Sequence, residues 1–128
     1  MEYHIEIDTT HGVIYATALG AWQSDIDDRM VAEIFQAVKE HSIRNVLLDM
    51  RELRFDLSTV RIFERAKEMR DMRLQRRQVS SKVALVYSAG DSKLDADMKF
   101  FETAARNRAA PYRIFTDMEE ARKWLLQA

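Results

Sequence analysis

A chain of 128 residues, 47% apolar and 32% charged, can bury a hydrophobic core of its own and has the balance of a globular protein. With no cysteine it excludes disulfides, thiolate metal sites and cysteine nucleophiles. A net charge of −1 argues against a general nucleic-acid binder, yet it hides an asymmetry: Ser42 to Lys82 holds 11 Lys/Arg against 6 Asp/Glu, and the remainder 9 against 15. That basic segment suits an acidic protein surface or an anionic membrane. The first residues run directly into a strand pattern and no apolar run approaches membrane-spanning length, so a soluble, cytoplasmic protein is expected.

Tyr3 to Asp8 alternates Tyr3, Ile5 and Ile7 with His4, Glu6 and Asp8, the period of a strand with one wet face. Thr9-Thr10-His11-Gly12 has turn chemistry, and Val13 to Leu19 reads as the second strand of a hairpin that Gly20 ends. Ser24 with Asp27 resembles a capping box, Asp25, Asp27 and Asp28 suit a helix amino terminus, and Ile26, Met30, Val31, Ile34 and Val38 carry helical spacing to about His41. Trp22, just before this helix, suits either a hydrophobic staple or an interface. Arg44 to Met50 is a strand whose consecutive apolar residues predict cover on both faces.

A second helix starts near Ser58 and extends as far as Gln78, with Ile62, Phe63, Ala66 and Met69 inward. Its other face carries Arg61, Arg65, Glu68, Met72 and Arg76. Lys82 to Ser88 is again a strand with a continuous apolar centre. A loop through Gly90 leads to a helix with Leu94, Met98, Phe101 and Ala105 inward. After Pro111 comes a short strand, Tyr112 to Thr116. Asp117 then caps a last helix, with Glu120 at the capping-box position and Ala121, Trp124 and Leu125 packed inward. The order β-β-α-β-α-β-α-β-α predicts one α/β domain over residues 1–128, with a mixed, mostly parallel sheet of about five strands and about four helices.

This order resembles the STAS domain of anti-sigma-factor antagonists and, more closely, the SpoIIAA-like family of small bacterial proteins. KVALVYSAGD, the helix with Phe100-Phe101-Glu102, and YRIFTDMEEARKWL are similar to that family's ending; GVIYATALG fits its beginning. The resemblance implies a STAS/SpoIIAA-like fold and a regulatory, non-enzymatic role. In the antagonists a strand ending in Asp leads to an Asp-Ser-Ser-Gly helix start, whose first Ser is phosphorylated by a partner kinase. Laid along this chain from Asp49, that Ser falls on Ser58 and its neighbour on Thr59. Leu57 stands at the motif's Asp, Asp56 one residue earlier, and Val60 replaces the Gly. The family also resembles CRAL-TRIO lipid-binding domains, which implies an apolar ligand or membrane association.

The residues themselves leave two readings open at Ser58: a helix N-cap, a role Asp56 could share, or a phosphoacceptor whose phosphate would meet the positive end of a helix. Asp49 ends a buried strand, where α/β enzymes hold carboxylates, but no second acid, His or Lys is placed by motif to work with it. Accepting backbone hydrogen bonds from the following loop is its expected role. His4, His11 and His41 form no metal-ligand spacing, and His41 suits the carboxyl end of its helix. Gly12, Gly20 and Gly90 form no phosphate loop, and there is no Gly-x-Ser-x-Gly elbow. No catalytic residue, metal or cofactor is therefore assigned. From Ser58 to Gln78 seven Lys/Arg, among them Arg61, Arg65, Arg73 and Arg76, face Glu64, Glu68 and Asp71, which reads either as a solvated face or as a basic surface with exposed Met72 and Leu74.

Two functions follow as expectations. One is a regulatory module that binds a protein partner through Asp49, Asp56, Ser58 and Thr59, with a homodimer also open. The other is a carrier of lipid or a small apolar ligand that reaches the membrane through the basic helix.

Overall fold

The computed structural model describes residues 1–55, 58–75, 82–106 and 112–127. Strands β1 (Glu2–Asp8), β2 (Val13–Ala21), β3 (Asn45–Arg54), β4 (Lys82–Val86) and β5 (Tyr112–Phe115) alternate, after the opening hairpin, with helices α1 (Ser24–His41), α2 (Thr59–Gln75), α3 (Ser92–Arg106) and α4 (Met118–Leu125). They form one sheet in the order β1-β2-β3-β4-β5. β1 is antiparallel to β2, and all later pairings are parallel.

Because the strands follow one another across the sheet, crossovers of one hand send α1, α2 and α3 to the same face. The packing agrees. Ile14, Ala16, Val46, Leu48, Val83 and Leu85 are buried with Met30 and Ile34 of α1, Ile62 and Ala66 of α2, and Met98 and Phe101 of α3. The intervening residues Val13, Leu47, Ala84 and Val86 point the other way and are buried with Ala121 and Leu125 of α4. The consecutive apolar runs of β3 and β4 thus have cover on both sides. β1 packs Tyr3 and Ile5 against the three-helix side only, as its alternation requires.

Two strand ends differ from expectation. β2 does not stop at Gly20, and β3 does not stop at Met50. Leu19, Gly20 and Ala21 pair with Glu52, Leu53 and Arg54, each strand supplying the other's ladder. Gly20 fits there because its φ of +91° is a conformation other residues resist, while the backbone of Met1 lies 3.4 Å from where a Cβ would stand. Thr17 pairs with Asp49 and Leu19 with Glu52, so β3 carries one extra residue, a bulge at Met50–Arg51.

The capping box expected at α1 is absent. Gln23 is the N-cap, without a side-chain bond, and Asp27 is turned inward and buried. Asp117 does cap α4: its Oδ1 accepts from the backbone N–H of Glu119 at 2.8 Å and of Glu120 at 3.4 Å. At the other end of α4, Lys82 Nζ donates to the carbonyls of Trp124 and Gln127 at 3.2 and 3.0 Å. Trp124 is half-buried between Lys82 and Phe115. Residues 76–78 of the expected second helix lie outside the described residues, as do the side chains of Met69, Met72, Leu74 and Ala105.

Replacing Asp117 with Ala orphans these two N–H groups and is expected to lower stability by about 1 kcal/mol, read from the urea midpoint. An unchanged midpoint would show that other groups already hold the end of α4.

Candidate functional site

The loop from β3 delivers the chain to α2 at Ser58. The Ser58 hydroxyl accepts from the Arg61 backbone N–H at 3.1 Å, and its carbonyl accepts from Ile62 N–H at 3.1 Å. Ser58 is thus a capping residue, exposed, on a helix whose first turn holds no acidic residue. Asp56 and Leu57 lie outside the described residues, as does the side chain of Thr59. Two residues after Ser58, Val60 is 67% exposed. Phe63, on the same side of the helix at i+3, meets Phe100 of α3 with ring centroids 5.8 Å apart, and Phe100 is itself 40% exposed. An apolar surface therefore continues from the start of α2 onto α3.

The basic face expected on α2 is different in kind. Arg65 is no surface residue: it is 6% exposed and sits on the inward stripe, three residues after Ile62 and beside Ala66. The reason is the acidic first turn of α1. Arg65 Nη2 lies 2.6 Å from Asp27 Oδ2, and Arg65 Nη1 lies 2.6 Å from Asp28 Oδ1 and 3.1 Å from Glu68 Oε2. Arg61 is committed as well. Its Nη1 lies 3.1 Å from Glu68 Oε1, and its guanidinium stands 5.6 Å from the centre of the Trp22 ring. Arg76 lies outside the described residues, and so does the side chain of Arg73. Trp22 is half-buried: its ring packs against the core, and its indole N–H donates to Asp27.

Burial works against the Arg65 charge, but Asp27, Asp28 and Glu68 outweigh it and hold the guanidinium above its ordinary pKa. For Asp27 burial is the larger influence and pushes the carboxyl above the ordinary carboxylate range, against the pull of Arg65 and Trp22. The contact is also imperfect. Nη2 is close to Asp27 yet off the hydrogen-bond line, and Arg65 Nε meets no acceptor among the described residues.

Behind this ion cluster lies a cavity of about 70 Å³ between α2, α3 and β3. Its wall is almost wholly apolar, with Trp22, Met30, Met50, Phe55, Met98 and Phe101 prominent; Asp27 and Arg65 are its polar edge.

Asp49 does not belong to this side. Its side chain points to the α4 face of the sheet and lines a groove of about 570 Å³ with Glu6, Asp8, His11, Tyr15, Thr17, Arg51 and Arg122. The groove exists because α4 lies over β3 to β5 and reaches β2 only around Val13 and Tyr15. Asp49 Oδ1 accepts from the Arg51 backbone N–H at 3.1 Å, the donor that the bulge removes from the ladder, and the Arg51 guanidinium closes on the same carboxylate at 2.9 and 2.8 Å. The backbone donor is therefore in the strand, not in a following loop. Asp49 and Ser58, expected at one site, stand on opposite faces of the sheet. His11 is occupied by Asp8 at 2.8 Å, and among the described residues no group of three or more His, Cys, Asp or Glu could hold a metal ion. Nor is any helix among them long and apolar enough to cross a membrane.

Sequence reasoning missed the cluster of Arg65 with Asp27 and Asp28, although the spacing of Arg65 from Ile62 places it on the buried stripe. It also missed the groove, which depends on α4 taking the face opposite the other helices.

No family model and no curated protein matches the chain. Among solved structures it is similar to a DUF3478-family protein from Shewanella loihica PV-4, described as having a SpoIIAA-like fold, with a TM-score of 0.59 and 19% identity over 96% of this chain and 93% of that one. The chain has a SpoIIAA-like fold.

Carboxyl carbon NMR titration should find Asp27 above the ordinary value of about 3.9 and Asp49 below it. At Asp49 burial acts upward, but the hydrogen bonds and charge of Arg51 outweigh it. Its contribution to stability is therefore present above the unfolded pKa and is lost as pH falls through the lowered folded value. Asp27 has the opposite sign: its protonated form favours the fold, and that contribution is lost as pH rises through the raised value. Finding the two in reverse order would contradict the placement of both carboxylates.

Proposed function

We propose that this protein is a non-enzymatic regulatory module that binds a protein partner through the first turns of α2. The observation that carries the reading is the apolar surface there: Val60 is 67% exposed and lies beside the exposed cap Ser58 and the Phe63–Phe100 pair. A large exposed side chain on a helix tied to its neighbour by the buried Arg65–Asp27 pair loses little conformational freedom on binding. The SpoIIAA-like fold supports the same class of role. Phosphate on Ser58 would enter a helix amino terminus with no acid in its first turn, which gives this surface a means of control. Asp49 lies on the other face of the sheet and is left out of this surface.

A second reading, in which the chain holds a small apolar ligand, is favoured by the cavity behind Arg65. Peripheral attachment to a membrane through residues 58–78 has less support, because Arg61 and Arg65 already face carboxylates.

A photoreactive amino acid placed at position 60 in host cells should give a discrete protein adduct, identified by mass spectrometry. Ser58→Asp should alter its yield severalfold while the circular dichroism spectrum is kept. Labelling no more frequent than from exposed Glu119 on α4 would count against the reading.

A further inference from the structure

The two edges of the sheet are unlike. At β5, four residues long, the N–H of Ile114 is taken by the carboxylate of Glu102 at 2.6 Å, so α3 guards that edge. β1 is seven residues long and pairs with β2 along its whole length without a bulge. It holds neither proline nor lysine, the residues that commonly blunt an edge. Among the described residues no side chain bonds to its backbone from the outer side. Ile7, 39% exposed, stands on this same strand.

An open edge of this kind is a template for another strand, and its residues specify which. Tyr3, Ile5 and Ile7 belong to the three-helix side, and Glu2, His4, Glu6 and Asp8 to the side of α4. When a second β1 lies antiparallel beside the first, a two-fold axis through His4, Ile5 or Glu6 keeps like faces together over most of the strand. Centring on His4 sets Glu2 against Glu6, and centring on Glu6 sets that carboxylate against its own copy. Centring on Ile5 pairs the whole strand: Ile5 meets Ile5, Tyr3 meets Ile7, and His4 meets Glu6. Like charges then face each other only at the ends, Glu2 with Asp8, and Asp8 is already hydrogen-bonded to His11.

We propose that β1 is an interface with a second copy of this chain, the two strands pairing antiparallel about Ile5 and joining two five-stranded sheets into one. Ile7 is covered by Tyr3 of the second copy. The first turns of α2 stay free, because β1 packs on β2 and α1 while α2 crosses from β3 to β4. A strand ladder of this length is small beside the interfaces of permanent dimers, so the two copies exchange with monomer.

Sedimentation velocity of the full chain, from about 1 µM to about 1 mM, should show a monomer–dimer equilibrium. His4→Glu sets a carboxylate against Glu6 and should weaken the dimer about tenfold. The double variant H4E/E6K restores opposite charges in the same register and should recover the affinity. Both positions are exposed, so the circular dichroism spectrum should not change. Amide hydrogen exchange over residues 2–8 should slow as concentration rises, because outward N–H groups gain acceptors.

A monomer at every concentration would overturn the inference and leave the edge to a strand of a different protein or to solvent. A dimer indifferent to His4→Glu would overturn it also, by placing the contact elsewhere. A dimer that H4E/E6K fails to restore would overturn the pairing about Ile5.

Discussion

The attachment of Arg65 to Asp27 and Asp28 is the interaction on which the α2 side of the protein depends. α2 is poorly equipped to hold itself by apolar burial. Among its described side chains only Ile62 and Ala66 are fully buried apolar groups, and the cavity lies behind them. α2 packs along α3, and the ion pairs tie it to the first turn of α1. Such a pair need not add net stability over an apolar substitute, because two charges must leave water to form it. It does fix one arrangement: a helix shifted by a turn or rolled by a residue would leave a guanidinium and a carboxylate buried without partners. The positions of Ser58, Val60 and Phe63 follow from that arrangement.

The two faces of the sheet make a contrast. On one, three helices cover the strands, yet the packing beneath α2 is incomplete and polar groups are drawn inside. On the other, a single short helix closes a dense small core of Val13, Leu47, Ala84, Val86, Ala121 and Leu125, and beyond its edge polar side chains line an open groove. Interiors are usually packed to crystal-like density, so an unfilled apolar cavity is the less ordinary of the two and the better candidate for binding a small apolar molecule. In the open groove Asp49 is paired with Arg51, and Asp8 is hydrogen-bonded to His11.

Much of this architecture was legible in the order of residues. The alternation of β1, the unbroken apolar centres of β3 and β4, and Asp117 before α4 each report a local rule that the fold obeys. Where local rules compete, the reading failed. Asp27 satisfies the pattern of a capping box and of a dipole-compensating acid, but a guanidinium from a helix 37 or 38 positions along the chain outbid both roles (Arg65 reaches Asp27 and Asp28). Gly20 looks like a strand breaker, yet the bulged continuation of β3 gives it a ladder partner, Leu53. Asp49 and Ser58 are close in sequence, which predicts a shared site. Side-chain direction in a strand changes face at every residue, and this put the carboxylate across the sheet from the helix start.

The claim that Arg65 and Asp27 jointly hold α2 in place is tested most directly by a double-mutant cycle. Stability would be measured by urea denaturation for the unaltered chain, Asp27→Asn, Arg65→Met and the two together. The structure predicts a coupling energy of about 2 kcal/mol or more, with the double variant less damaged than Arg65→Met alone. Additive losses, with coupling near zero, would show that the two groups are neighbours without being partners and that α2 owes its position to something else.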